Sequence, residues 1–169
     1  SWYEDLAAKN RLGIRLWAMI SAPDSANTPK LSAYPKIGLG SGHLTVRAVK
    51  CYLDGALGSF GAWLLDDYAD KPGSRGQNTT PVAEIGRVAA ECERLGLQCC
   101  VHAIGDRGNR EVLDVFEKLV KGKDLRWRVE HAQHIDLEDI PRFARLGVTA
   151  SMQTLHCTSD APFVVKRLG

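Results

Sequence analysis

The chain has 169 residues, 44% hydrophobic and 25% charged, with 16 glycines, 7 prolines and a formal net charge of +2. This is an ordinary globular composition, long enough for one sizeable core. The Lys and Arg are scattered, so no electrostatic footprint for nucleic acid or a membrane surface is present. No apolar run approaches the ~20 residues that cross a bilayer, and no stretch has the pattern of a signal peptide.

In chain order, a polar helical stretch leads into the apolar run Arg15–Ile20, which reads as a strand. An irregular stretch from Ser21 to Gly42 follows. Leu44–Gly55, "LTVRAVKCYLDG", is β-branched and apolar, broken by Lys50. Leu97–Asp106, Leu125–Gln133 and Gly147–Gln153 complete a set of five predicted strands. Their continuous apolar character suits a parallel sheet buried on both faces.

Helical patterns separate them. Val82, Ile85, Val88, Ala89, Cys92 and Leu95 keep a spacing near 3.6, with Thr80 as the expected N-cap and Gly96 as the stop. Val112, Val115, Phe116 and Leu119 mark a second helix. Ile140, Phe143, Ala144 and Leu146 mark a third, with Asp136 as its expected cap and Gly147 as its stop. Alternating strand and helix predicts α/β architecture with right-handed βα units. Five strands are too few for a closed (β/α)8 barrel, leaving an open doubly wound sheet or part of a barrel. The Gly- and Asp-rich segment from Leu53 to Thr80 is a long loop of the kind that is functional or disordered.

The five cysteines, Cys51, Cys92, Cys99, Cys100 and Cys157, are odd in number and form no CxxC pair. They read as buried free thiols in a reducing compartment, which predicts a cytoplasmic protein.

Active sites collect at the carboxyl ends of parallel strands. Lys50, His102 and His131 each end or nearly end a predicted strand, in "RAVK", "QCCVH" and "RWRVEH". Their separations fit consecutive βα repeats, one of them lengthened by the long loop, so the three are expected to share a site. Two neutral imidazoles suit zinc and similar divalent metals. Lys50 has three open readings: a cation for an anionic substrate, a Schiff-base nucleophile, or a carbamate formed with carbon dioxide. His134 is expected beside the site or on the surface, His43 in a loop, and His156 is ambiguous.

Four motifs, "VKCYLDGALGSFGAWL", "VHAIGDRGNREVLDVFE", "RVEHAQHI" and "DIPRFARLGVTASMQTLHCTSD", together resemble the YtcJ-like branch of the amidohydrolase superfamily, amidohydrolase family 3. The resemblance runs from about Val46 to Asp160. It implies a metal-dependent hydrolase of amide or other C–N bonds on a TIM-like (β/α)8 barrel. It also implies that Lys50 is the lysine that becomes carboxylated on the fourth strand, and that His102 and His131 are the metal ligands of the fifth and sixth. The implied cofactor is one or two divalent ions, with zinc the leading candidate. The catalytic residues expected on this reading are Lys50 and Asp160, the latter meeting substrate after the seventh strand. Asp54, Asp106 and Glu130 are expected to orient the imidazoles, or else to cap helices or line loops.

The sequence also departs from the family. No His-x-His occurs, no eighth-strand aspartate is identified, and Phe60 and Thr154 stand where Arg and Pro are expected. The expectation is therefore a central piece of a longer enzyme, about strands three to seven, holding an incomplete site. The expected partner is a small-molecule substrate, with no nucleic acid and no membrane; oligomerisation is left open. A non-catalytic binding or scaffold protein on the same fold is the second reading. An NAD- or phosphate-binding α/β domain using "GLGSGH" at Gly38–His43 is a weaker third, because that stretch is not clearly followed by a helix and the GxGxxG spacing is incomplete.

Overall fold

A computed structural model describes residues 1–169. The chain runs α1 (Trp2–Ala8), β1 (Leu16–Ser21), a 3₁₀ turn (Thr28–Ala33), β2 (Lys36–Gly38), α2 (Leu39–Gly42) and β3 (Leu44–Tyr52). It continues with α3 (Val82–Leu95), β4 (Gln98–Ala103), α4 (Asp106–Val120), β5 (Arg128–His131), α5 (Ile140–Leu146), β6 (Thr149–Ser151), α6 (Leu155–Ser159) and α7 (Ala161–Leu168). The parallel sheet has the order β1-β3-β4-β5-β6, and short β2 adds antiparallel to β3. All five predicted strands are present. β2 was unforeseen because three residues are too short to set a period.

The two faces of the sheet differ, contrary to the expectation of burial on both. Val49, Cys51, Cys99, Val101, Ala103 and Val129 point into the main core, where they meet Ile85, Val88 and Cys92 of α3 and Val112, Leu113 and Phe116 of α4. Trp127 is 1% exposed, packs tilted at 57° against Phe116 with ring centroids 4.8 Å apart, and donates its Nε1–H to the Leu97 carbonyl at 3.1 Å. The opposite face carries Met19, Lys50, Tyr52, Cys100, His102, Arg128 and Glu130, following the two-residue alternation of the strands and their register. No helix covers it, and Trp17, Met19 and Tyr52 are exposed there.

Helix boundaries follow the apolar period, but two caps differ. α3 begins after Pro81, which has no side-chain cap bond, so Thr80 does not cap it. α5 is preceded by Asp139, while Asp136 accepts instead from the Glu138 N–H in the turn before it. Asp139 faces Arg110 and Arg142 at 2.7 and 2.9 Å, which ties α4 to α5.

The segment from Leu53 to Thr80 is ordered. Leu57, Ala62, Leu64 and Tyr68 form a second small core with Ile104, against which Phe163 and Val164 of α7 pack. Arg167 of α7 pairs with Asp70 and lies 3.9 Å over the Phe60 ring. The loop and α7 therefore make one cap at the carboxyl ends of the strands. The "GLGSGH" stretch forms α2, a four-residue turn with Gly40 and Ser41 in left-handed conformation. A Cβ at Gly40 would come within 2.8 Å of the Ala7 Cα, so this glycine serves close packing on α1. The turn runs directly into β3 and opens no longer helix, so the loop-to-helix geometry of a phosphate site is not formed.

Four of the cysteines are buried free thiols, and Cys157 is exposed, which corrects the expectation for that one. No helix is long and apolar enough to cross a membrane.

Candidate functional site

His102 closes the β4 ladder, paired with Tyr52 on one side and Glu130 on the other. His131 ends β5 beside Ala103. Strict alternation would send His131 to the helix side, opposite Glu130. The backbone departs from a strand at that point: φ is +74° at His131 and +44° at Ala132, both in the left-handed region that costs a non-glycine residue about 1 kcal/mol or more. The turn brings the His131 ring to 4.6 Å from the His102 ring, edge to face. Strain sits where the chain must re-aim a side chain.

Burial, His131 and Lys50 together hold the His102 pKa down at about 4. Burial likewise lowers that of His131, partly offset by its bond to Gln153. Both rings are neutral at pH 7, the form that ligates metals. His102 Nε2 is buried without a hydrogen-bond partner; Asp54 Oδ1 lies 3.4 Å away, and with a neutral imidazole this is no ion pair. His131 Nδ1 meets Gln153 Oε1 at 2.6 Å, and Gln153 Nε2 donates to the Ser151 carbonyl at 3.1 Å. That carbonyl can only accept, so the Gln153 oxygen must face His131. Nδ1 therefore carries the ring proton, and the His131 Nε2 lone pair is free.

Lys50 lies on the open face, its Nζ 4.7 Å from the Tyr52 ring, whose centroid is 5.6 Å from that of His102. Burial lowers the Lys50 pKa, opposed in part by Glu130. Glu130 is buried, with Oε1 2.8 Å from Arg128. Lys50 thus lies level with Arg128 on the same face as His102 and Glu130 but two residues before them along the strands, with His131 at the strand end beyond.

The other expected residues sit around it. Asp54 is 2% exposed and accepts from the N–H groups of Trp63, Ile104 and Gly105 at 2.9–3.0 Å. It clamps the loop after β3 to the end of β4, and a Cβ at Gly108 would fall 2.7 Å from its Oδ2. Burial raises its pKa to about 6 against those three bonds. Asp106 opens α4, its Oδ1 accepting from the N–H groups of Leu65 and Arg107 and not from an imidazole. Asp160 precedes α7 and accepts from Gln133 Nε2 at 2.6 Å and Ser159 Oγ at 2.7 Å. Burial favours its neutral form, but those two bonds prevail and lower its pKa. His43 closes the α2 turn, its Nδ1 2.9 Å from the Gly40 carbonyl. His134 is half-buried, with its ring Nε2 unpartnered.

Three residues not singled out beforehand complete the arrangement. Gln133 bridges Asp160 to His156 Nδ1, and the His156 ring stacks on His131 at 5.4 Å and 12°. Asn109, fully buried on α4, places its Nδ2 within hydrogen-bond distance of the carbonyls of Ala103, Gly105 and His134. It thereby fixes the ends of β4 and β5 together. Gln153 is the third. A buried asparagine on the apolar side of "DRGNREVLDVF" was the readable signal; the glutamines gave none beyond their nearness to histidines.

The donor set suits a metal in chemistry and is incomplete in number. Two neutral imidazoles meet, one with a buried unpartnered nitrogen, yet no group of three or more His, Cys, Asp or Glu is placed to hold an ion. Residues 1–169 all match a model of the amidohydrolase family.

The chain belongs to the amidohydrolase family.

The LONG AFTER FAR-RED 3 protein of Arabidopsis thaliana is 36% identical over 129 residues, 75% of this chain and 22% of that protein. A Bacillus subtilis (strain 168) protein named as an amidohydrolase, YtcJ, is 36% identical over 122 residues, 72% of this chain and 23% of that one. An uncharacterised metal-dependent hydrolase of Pyrococcus horikoshii OT3 superimposes with a TM-score of 0.85 at 31% identity. The match covers 98% of this chain and 32% of that one. A second, from Pyrococcus furiosus, gives 0.85 at 30% identity, with 98% and 34% covered. The likeness to YtcJ-like amidohydrolases read from the four motifs is thus shown. The chain spans between 22% and 34% of the length of these relatives.

Proposed function

We propose that this amidohydrolase-family chain supplies part of the active site of a metal-dependent hydrolase that cleaves amide or other C–N bonds. The observation that carries the reading is the meeting of His102 and His131, 4.6 Å apart at the ends of adjacent parallel strands, with His102 Nε2 buried and unpartnered. A sheet with helices on one face and a polar layer on the other fits about strands three to seven of a TIM-like barrel, its open face inward. On this reading residues 1–169 are one partial catalytic barrel and the remaining ligands come from other chain.

His102 and His131 would hold the ion, and zinc suits two neutral imidazoles. A bound divalent metal lowers the pKa of water and polarises a carbonyl. This chain's residues prepare that chemistry. Gln153 fixes the His131 tautomer, and the left-handed turn at His131 aims its ring. Lys50 is held by burial toward the neutral amine, the form that combines with carbon dioxide to give a carbamate and a proton; Lys50 would then contribute an anion. Asp54 and Asn109 hold the loops that carry these groups. Asp160 acts through Gln133 and faces the substrate side.

The test is metal content by mass spectrometry of protein purified without added metal, beside a His102→Ala/His131→Ala double variant. Metal present in the first and lost in the second supports the reading. Equal content in both, or none in either, leaves the fold standing and removes this chain's metal site, which favours the scaffold reading.

A further inference from the structure

Asn109 stands in the buried stripe of α4 with Val112, Leu113 and Phe116, and is 0% exposed. A polar side chain in such a place is destabilising unless its polar atoms find partners. Only half of this amide does. Nδ2 lies 2.9 Å from the Gly105 carbonyl, 3.1 Å from that of His134 and 3.3 Å from that of Ala103. Carbonyls only accept, so the nitrogen and not the oxygen faces the three. Oδ1 is left buried with no partner. The fold tolerates an unmet acceptor in its core at the point where one NH2 group reaches two strand ends.

A second unfavourable feature lies on the strand end that this amide holds. His131 and Ala132 have φ of +74° and +44°. Two residues on, His134 donates its N–H to the Ile104 carbonyl at 2.9 Å and gives its own carbonyl to Asn109. The turn is thus pinned at its far end to the segment that follows β4, whose carbonyls the same amide gathers. Left-handed backbone at non-glycine residues persists only where the surroundings over-determine it.

We propose that Asn109 is a positioning residue of the site: its amide holds His131–His134 in the left-handed turn that brings the His131 ring onto His102, and without it the rings part. Asn109 acts through backbone carbonyls alone. The inference deepens the reading of the site as a metal centre and rests on it only for a zinc measurement. The backbone measurements need no metal, so the two fail separately.

The experiment is NMR on the isotope-labelled 169-residue chain without metal. Wild type is expected to give the strong intraresidue HN–Hα NOE of a positive φ at His131 and Ala132. An NOE is also expected between the rings of His131 and His102, whose centroids are 4.6 Å apart. Asn109→Leu, close in size but without the donors, should lose the ring NOE and weaken the other two. Val115→Ala, a core truncation farther along the same helix, should lower the melting temperature and keep all three. Ala132→Gly puts a residue at ease with positive φ into the turn, and should restore the ring NOE in the Asn109→Leu background. Zinc affinity, by competition with a chelator, should fall about tenfold in Asn109→Leu and recover in the double variant. Should Asn109→Leu not fold, wild type still decides, through correlations across the hydrogen bonds from Asn109 Nδ2 to the carbonyl carbons of Gly105 and His134. Absence of those correlations, a ring NOE that survives Asn109→Leu, or an equal loss in Val115→Ala would overturn the proposal. A turn that depends on Asn109 in a chain that binds no zinc would support it and remove the metal reading alone.

Discussion

Replacing Asp54 with alanine tests how the site is assembled. The carboxylate is 2% exposed and accepts three backbone N–H bonds that join the loop after β3 to the end of β4. Removing it leaves three donors in or near the core without an acceptor, at about 1–3 kcal/mol each. There is an opposing gain. Burial raises the Asp54 pKa from 3.8 to about 6, so the ionised form carries about 3 kcal/mol of unfavourable free energy relative to the unfolded chain. Taking about 2 kcal/mol for each donor, the expected net loss is about 3 kcal/mol at pH 7.5, measured by urea unfolding. The pH dependence has a fixed sign. A carboxyl whose folded pKa is raised contributes stability that is full below 3.8 and lost as pH rises through about 6. The alanine variant has no such dependence, so its deficit should grow by about 1.4 kcal/mol between pH 7.5 and pH 5. Asp54 lies 3.4 Å from His102, which titrates in the same window, so the comparison is made in a His102→Gln background for both proteins. A variant as stable as wild type, or a deficit that shrinks at pH 5, would refute the clamp and the sign of its ionisation.

Asp139→Ala should cost about 3 kcal/mol in chemical unfolding, because it strips the shared carboxylate from Arg110 and Arg142, the latter only 12% exposed. Phe116→Ala should cost about 3–5 kcal/mol by the same measurement and loosen Trp127, visible as a red-shifted fluorescence spectrum. Gly105→Ala should lower the melting temperature by several degrees, since its Cβ would enter the space of the Trp63 carbonyl; an unchanged melt would mean that the loop yields freely. Gln153→Leu should weaken zinc binding roughly tenfold by competition with a chelator while leaving the circular dichroism spectrum unchanged.

Much of this molecule is legible in the sequence. Continuous apolar runs gave five parallel strands, and the 3.6 spacing gave α3 and α5 nearly to the residue but only the second half of α4, whose first turns, from Asp106, carry no apolar period. The position of a histidine after "QCCV" and "RWRVE" was enough to expect His102 and His131 together, because the ends of neighbouring strands converge. What was hidden is non-local. The bare face of the sheet is invisible in a strand such as "LQCCVHA", whose open-side residues, Cys100 and His102, look as core-like as Val101. The loop from Leu53 to Thr80 has no period, yet it orders because Leu57 and Tyr68 find Ile104 and α7 from elsewhere in the chain. Asp54 and Asp106 look alike in sequence, each just past a strand near glycine. Only the fold shows that both spend their oxygens on backbone N–H groups. Gln133, Gln153 and His156 become a unit through the left-handed turn at His131, a backbone event that no residue type announced.

The central claim is that His102 and His131 hold one divalent ion between them. The direct measurement is a zinc titration followed by long-range ¹H–¹⁵N correlation of the imidazole nitrogens. The expected result is that one ring nitrogen of His102 and Nε2 of His131 shift in step with added zinc, while Nδ1 of His131 stays protonated against Gln153. Zinc that moves neither ring, or that binds with only one of the two, would contradict it.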